Sequence, residues 1–316
     1  MSLCSTIYSK IKKSYPIRKF AFFLKYKLPV IILGDERIEI IHFKKILGYE
    51  PNLKKPFTLN EKMCWLKLHD HRKICTYVVD KYNVRKYFEE KFGSKYVVPL
   101  VNKLDSWKDV KKTMIPDYPV IIKCNNGSGT WQIIRDRDSV DYKELRQNCR
   151  KWMNFNHYYE TQEWQYKNVK PCIIIEKLLL NNDGKLPEDI KLHYFNGKCE
   201  LIYKVIDREG DNYRAFFTPE WELLPFQFTS KRKYKPINKE IKEPKPCLLD
   251  KMIEFGNEIA KHFNYVRVDF YDMGETFYFS EITLYHGAGH NRFYPEEFEQ
   301  KYADSLKINL NLEDNL

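Results

Sequence analysis

The segment from Val266 to Thr283 constrains this chain more than any other. Val266-Arg267-Val268-Asp269-Phe270-Tyr271 reads as a strand, Asp272-Met273-Gly274 as a turn, and Phe277-Tyr278-Phe279-Ser280-Glu281-Ile282-Thr283 as the returning strand. Carboxylates stand in strands that otherwise want burial, which is costly unless a cation compensates them. Side chains alternate along a strand, so Arg267 shares a face with Asp269, and Glu281 with Thr283. A loop with an odd number of residues, such as Asp272-Met273-Gly274, would turn both pairs to one side. Two readings follow: an oxygen-ligand Mg²⁺ site, or a structural hairpin with carboxylates at a sheet edge.

A second segment has the same strand–loop–strand form. Pro119-Val120-Ile121-Ile122-Lys123 is a short apolar strand ending in lysine, Cys124 to Thr130 is a small loop holding Gly127, Ser128 and Gly129, and Trp131-Gln132-Ile133-Ile134 returns. Glycines let backbone N–H groups approach phosphate oxygens, and the lysine supplies a point charge. The lysine precedes the glycines and no G-x-x-x-x-G-K-[ST] occurs, so this is not a Walker loop. Many ordinary hairpins share the pattern, and it gains meaning only in combination.

Along the chain stand Asp80-Lys81, Lys123 with its loop, Ile173-Ile174-Ile175-Glu176-Lys177-Leu178, Asp189-Ile190-Lys191, Asp207-Arg208, Arg267-Val268-Asp269 and Glu281-Ile282-Thr283. In this order they resemble the ATP-grasp superfamily, whose members join a carboxylate to an amine through an acyl phosphate. The match is nearest to the TupA-like family associated with bacterial surface-polysaccharide synthesis. Phe195-Asn196-Gly197-Lys198 and Gly287-Ala288-Gly289 belong to the same likeness, which covers about residues 75–300.

The resemblance implies an α+β chain with an ATP-grasp fold: two α+β subdomains hold ATP between them, behind a helical N-terminal extension. The expected divisions are 1–75 (helical and basic), 76–179 (small subdomain and preceding elements) and 180–316 (large subdomain with the metal site). By the same resemblance Lys81 and Lys123 hold nucleotide phosphates, and the loop with Gly127, Ser128 and Gly129 is the flap over them. Glu176 stands where the adenine-binding strand leaves the small subdomain, and the backbone of Lys177 and Leu178 meets the adenine edge. Asp269 and Glu281 match the Mg²⁺ ligands, while Lys191, Arg208 and Arg267 form the catalytic set, Arg267 facing the acyl phosphate. Thr283 stands where the superfamily usually has Asn, and its hydroxyl reaches less far than an amide oxygen.

Composition fits a cytoplasmic enzyme. A hydrophobic fraction of 43% with 16% aromatics excludes disorder. Eight cysteines are scattered with no C-x-x-C pair, which reads as reduced thiols and not as a disulfide or zinc framework. The net charge of +11 is uneven: Lys10, Lys12, Lys13, Arg18, Lys19, Lys25 and Lys27 precede any acidic residue. No apolar run there reaches the eighteen or so residues of a membrane span. Such a basic, aromatic segment either lies on the inner face of an anionic membrane or packs on the catalytic body. A second basic run, residues 231–245, is interrupted by Pro236 and Pro244, with Pro246 just beyond, and reads as a loop. The acidic residues between the two runs, and the lack of any nucleic-acid module signature, argue against nucleic acid as a partner.

Hydrophobic periodicity predicts helices over 1–30, 36–48, 60–69, 76–91, 141–154 and 248–262, and strands at Tyr96–Pro99 and Glu200–Ile206. Thr58 is a candidate cap. His286 and His290 flank Gly287-Ala288-Gly289, as substrate contacts or as loop structure. The expected activity is ATP-dependent ligation of an amino acid or amine to a uronic acid of a capsule or O-antigen glycan. An ATP-grasp-type kinase or a glycosyltransferase of polysaccharide biosynthesis is the alternative.

Overall fold

The computed structural model describes residues 15–206, 208–209, 213–229 and 242–314. Lys10, Lys12 and Lys13, Asp207 and most of the second basic run lie outside them. The described N-terminal region is helical as expected. Helix α1 (Tyr15–Phe22) runs through a π-helical turn (Phe23–Lys27) into α2 (Leu28–Leu33). Helix α3 (Asp35–Leu47) carries acids in its first turn and lysines in its last, matching the helix dipole, and stops at Gly48 with φ 89°. Helix α4 (Leu59–His69) opens on a complete capping box between Thr58 and Glu61.

The helix predicted over 76–91 is two helices, α5 (Lys73–Val79) and α6 (Asn83–Phe92). Asp80 makes the break. Its carboxylate accepts from Tyr82 N–H (2.9 Å), Asn83 Nδ2 (2.8 Å) and Asn125 Nδ2 (2.8 Å). An aspartate offered local backbone donors favours a cap over a helix interior. The break turns Lys81 out of the helical frame and toward the loop that follows Lys123.

A four-stranded antiparallel sheet follows, with strands β1 (Leu100–Leu104), β2 (Val120–Cys124), β3 (Trp131–Ile134) and β4 (Ile173–Lys177) in the order β1-β4-β2-β3. Helix α7 (Tyr142–Asn154), capped by Asp141, covers it through Leu145 and Cys149 against Val120, Ile122, Ile173 and Ile175. The strand expected at Tyr96–Pro99 begins later, at Leu100, because Ser94–Tyr96 winds into a 3₁₀ turn. Val97 instead bridges Phe279 of the second sheet, and Tyr96 stacks on Phe277 at 4.9 Å. Their apolar burial outweighs the local strand pattern.

The second sheet has strands β5 (Glu188–Phe195), β6 (Lys198–Ile206), β7 (Tyr213–Phe217), β9 (Tyr265–Asp272) and β10 (Phe277–Thr283), ordered β10-β9-β5-β6-β7 and antiparallel throughout. A short β8 (Gln227–Thr229) pairs with β11 (Arg292–Tyr294). Helix α8 (Leu249–Ala260) packs on the sheet so closely that a Cβ at Gly256 would lie 2.0 Å from the Tyr194 hydroxyl. Among the described residues the largest core cluster surrounds this sheet and reaches Val30 and Ile38 of the N-terminal helices.

The carboxylate hairpin reaches its geometry by a different route from the one expected. Phe277 pairs with Asp272, so residues 273–276 form an even-numbered loop. That register alone would oppose Asp269 to Ser280. A β-bulge between Phe279 and Glu281 adds one residue and brings Glu281 opposite Asp269 and Thr283 opposite Arg267. A one-residue shift swaps the face of every side chain, so the bulge does what the odd loop was expected to do.

Candidate active site

A cleft opens between the two sheets, and both walls carry charge. On the small sheet, Lys123 Nζ meets Glu176 Oε2 at 2.5 Å, with both side chains buried. The other oxygen of Glu176 pairs with Arg85 from α6, which also donates to Val98 O. Burial opposes the Lys123 charge, but the Glu176 carboxylate outweighs it and holds the ammonium above its ordinary range. The N–H groups of Lys177 and Leu178 donate to Pro99 O and Pro119 O, both at 3.0 Å.

The loop after β2 is pinned at its base and open at its tip. Asn125 donates to Asp80 Oδ1 and accepts from Cys172 N–H, both at 2.8 Å, and Asn126 Nδ2 donates to Phe155 O (3.2 Å). Lys81 Nζ donates to Gly127 O at 2.8 Å, while Ser128 and Gly129 are exposed. Gly129 has φ +69°, a backbone conformation that L side chains rarely adopt.

The large sheet contributes a ladder of alternating charge. Lys191 Nζ bridges Asp189 Oδ2 (2.7 Å) and Asp269 Oδ2 (2.6 Å). Arg267 grips Asp269 with two nitrogens, at 2.6 and 2.7 Å, and Nη2 also reaches Glu281 Oε1 at 3.4 Å. Lys81 closes the series on Glu281 Oε2 at 3.2 Å. Thus Lys81 ties the floor of the cleft to the glycine loop. Burial would raise the Glu281 carboxyl, but Lys81, Lys191 and Arg267 outweigh it and bring the group down to about 2. Burial pushes the Asp269 carboxyl up, against Arg267 and Lys191.

The depressed Glu281 value gives a pH test. A carboxyl lowered in the folded state stabilises fully above its unfolded value, near 4.5, and that contribution is lost as pH falls toward about 2. Wild-type protein should therefore melt above Glu281→Gln at pH 6, and the gap should close between pH 4.5 and 2. A gap independent of pH would refute the pairing.

Of the residues expected in the site, Lys81, Lys123, Gly127, Ser128, Gly129, Glu176, Lys177, Leu178, Lys191, Arg208 and Glu281 line the cleft together. Arg208 donates to Pro187 O (3.2 Å) and lies 5.3 Å from the Tyr271 ring. Asp269 is fully buried against Arg267 and Lys191, and Asp269, Arg267 and Thr283, which pairs with Arg267 across the strands, all stand outside the cleft lining. His286 and His290 are taken into the fold: His286 Nδ1 bonds the Tyr265 hydroxyl (2.7 Å), and His290 Nε2 bonds Glu39 Oε1 (2.7 Å). Sequence reasoning missed Arg85 and the anchoring role of Asn125. Arg85 had no local signal, since its partner Glu176 is 91 positions away.

The donor set fits a hard divalent cation. Asp269 Oδ2 and Glu281 Oε1 already converge on one positive nitrogen, Arg267 Nη2, at 2.7 and 3.4 Å. Nearby, Asp189 Oδ1 is buried with no hydrogen-bond partner. Asp269 and Glu281 offer oxygen, the ligand Mg²⁺ prefers, while the donor atoms of Asp189, Asp269 and Glu281 do not all come within 4.8 Å of one another.

A model of the TupA-like ATP-grasp family matches residues 61–307. Solved structures with a similar fold include the D-alanine–D-alanine ligase of Bacillus anthracis complexed with ATP, at 14% identity, TM-score 0.37, covering 66% of this chain and 54% of that one. The D-alanine–D-alanine ligase of Helicobacter pylori is 12% identical, with TM-score 0.40 and coverage of 73% and 59%. The N5-carboxyaminoimidazole ribonucleotide synthetase of Thermus thermophilus is 13% identical, with TM-score 0.36 and coverage of 67% and 47%. The chain spans about half the length of these structures. No curated protein matches it by sequence.

Proposed function

The chain belongs to the TupA-like ATP-grasp family, and on that premise we propose that it is an ATP-dependent carboxylate–amine ligase acting through an acyl phosphate. The observation that carries this reading is the opposed set of cations in one cleft, Lys123 on the small sheet and Lys81 and Lys191 at the large one. Of the charged residues lining the cleft, Lys81, Lys123, Lys177, Lys191 and Arg208 outnumber Glu176, Asp189 and Glu281, which leaves surplus positive charge for a polyphosphate.

Lys81 and Lys123 would take the nucleotide phosphates, with the backbone of Gly127–Gly129 closing over them and excluding water. Adenine contacts at Lys177 and Leu178 would fall to carbonyl oxygens, since their N–H groups are engaged. Glu281 and Asp269 would hold Mg²⁺, which when bound supplies Lewis-acid charge to phosphoryl oxygens. Lys191 would neutralise the phosphoryl group in transfer. The substrate carboxylate attacks the terminal phosphorus and releases ADP; an amine then attacks the acyl carbon, loses a proton, and phosphate leaves. Arg267 would stabilise the tetrahedral oxyanion.

The family supports a bacterial surface polysaccharide as the setting, with a uronic acid as the carboxylate and an amino acid or amine as the second substrate. ADP release should be followed with Mg²⁺-ATP and a panel of uronic acids, with hydroxylamine present. An acyl phosphate is trapped as a hydroxamate. ADP release without hydroxamate would point to kinase chemistry and overturn the ligase reading.

A further inference from the structure

Among the described residues, the N-terminal helices carry one exposed apolar face. Ile17 (44% exposed), Phe20 (62%) and Leu24 (46%) stand at spacings of three and four residues, on one side of a helix, and Ile31 (67%) and Ile32 (68%) continue the row. Val30 and Ile38 join the main core, so the helices are anchored on their inner side while this row faces outward. From Ile17 to Ile32 the rise is about 22 Å, and no described helix is long and apolar enough to cross a membrane.

Charge says what covers the row. No Asp or Glu precedes Asp35, and Lys19 and Lys25 are exposed along the helix. Lys27 lies over the Tyr159 ring at 4.7 Å, and Tyr26 Oη reaches Glu160 at 3.2 Å, so this segment rests on residues 158–161. Exposed apolar side chains beside lysines, with no acid in the segment, complement a surface that is negative outside and apolar beneath. A protein partner would need acidic groups around an apolar groove, whereas an anionic bilayer offers both at any point of its surface.

We propose that this helical segment docks the protein on an anionic lipid bilayer. The inner side of the same helix reaches the margin of the cleft. The Phe22 ring packs edge-on against Phe155 at 5.2 Å, and Phe155 O accepts from Asn126, the residue before Gly127. Bilayer contact would therefore hold the glycine loop one helix diameter, about 10 Å, from the membrane surface, within reach of a lipid-linked glycan acceptor. The acceptor part rests on the proposed ligase activity; the docking does not.

The test is co-sedimentation of the full-length protein with vesicles of phosphatidylcholine alone or with one-quarter phosphatidylglycerol, at about 50 and about 300 mM NaCl. Binding is expected to anionic vesicles at low salt, with release at high salt. Phe20→Glu/Ile31→Glu should weaken binding at least about tenfold, and Lys19→Gln and Lys25→Gln about fivefold each. All four side chains are exposed, so melting temperature and hydroxamate formation from a soluble substrate should be unchanged, which separates loss of docking from failure of the ligase reading. Equal recovery with both vesicle types, or unchanged binding by the variants, overturns the proposal. So does a dimer in solution that Phe20→Glu/Ile31→Glu dissolves, since the face would then be a protein interface.

Discussion

Asp269→Asn should abolish product formation and also lower folding stability by about 3–5 kcal/mol. The Asp269 side chain is wholly buried and accepts from Arg267 and Lys191 at 2.6 to 2.7 Å. Removing its charge leaves two largely buried cations, each 13% exposed, facing each other with Asp189 and Glu281 as their remaining partners. Glu281→Gln should lose activity on the same scale, about 3 kcal/mol of transition-state stabilisation. Its cost in stability should be smaller, because the Glu281 side chain is 30% exposed and water can replace part of its pairing. Denaturant midpoints and ADP release on the two variants check both statements. An Asp269→Asn protein as stable as wild type would show that the ladder does not hold the sheet together.

Glu176→Gln should weaken nucleotide binding at least about tenfold, equal to about 1.4 kcal/mol, without any contact between its lost charge and phosphate. Glu176 separates buried Lys123 from half-buried Arg85, and loss of its charge brings the two cations into repulsion. The pair should therefore be strongly non-additive. Lys123→Met on top of Glu176→Gln should recover stability relative to Glu176→Gln alone, with a coupling of about 1–3 kcal/mol. A fluorescent ATP analogue reads the binding, and denaturant titration of the two single variants and the double reads the coupling. Additive effects would mean that Glu176 acts independently of Lys123.

The cleft residues were largely legible because each carries a charge where the local pattern calls for apolar burial. Lys123 ends an apolar strand, Glu176 interrupts Ile173-Ile174-Ile175, and Asp269 sits between valine and phenylalanine. A buried charge is expensive without a partner, so such positions point to one another even before the partners are known. The pairing itself was not legible. Asp269 stood out as a carboxylate that needs a cation, and only the structure shows Arg267 and Lys191 on its two oxygens. Arg85 and Asn125 look like ordinary helix and loop residues until the chain brings Glu176 and Asp80 against them.

What the sequence by itself determined is the set of features written within a few residues. These are the Thr58–Glu61 capping box, the left-handed stop at Gly48, the strands around Lys123, and the amphipathic helix over 249–260. Each depends on backbone geometry that neighbouring residues impose. Only the tertiary structure decided the break at Asp80, the late start of β1, and the Phe279–Glu281 bulge that carries Glu281 across to Asp269. In each a distant contact decides: Asn125 on Asp80, Phe279 on Val97, and the cations that hold Asp269 and Glu281 on one face. Short-range sterics and hydrogen bonding make the elements, while burial and charge pairing between residues far apart in sequence choose how those elements end and which way their side chains face.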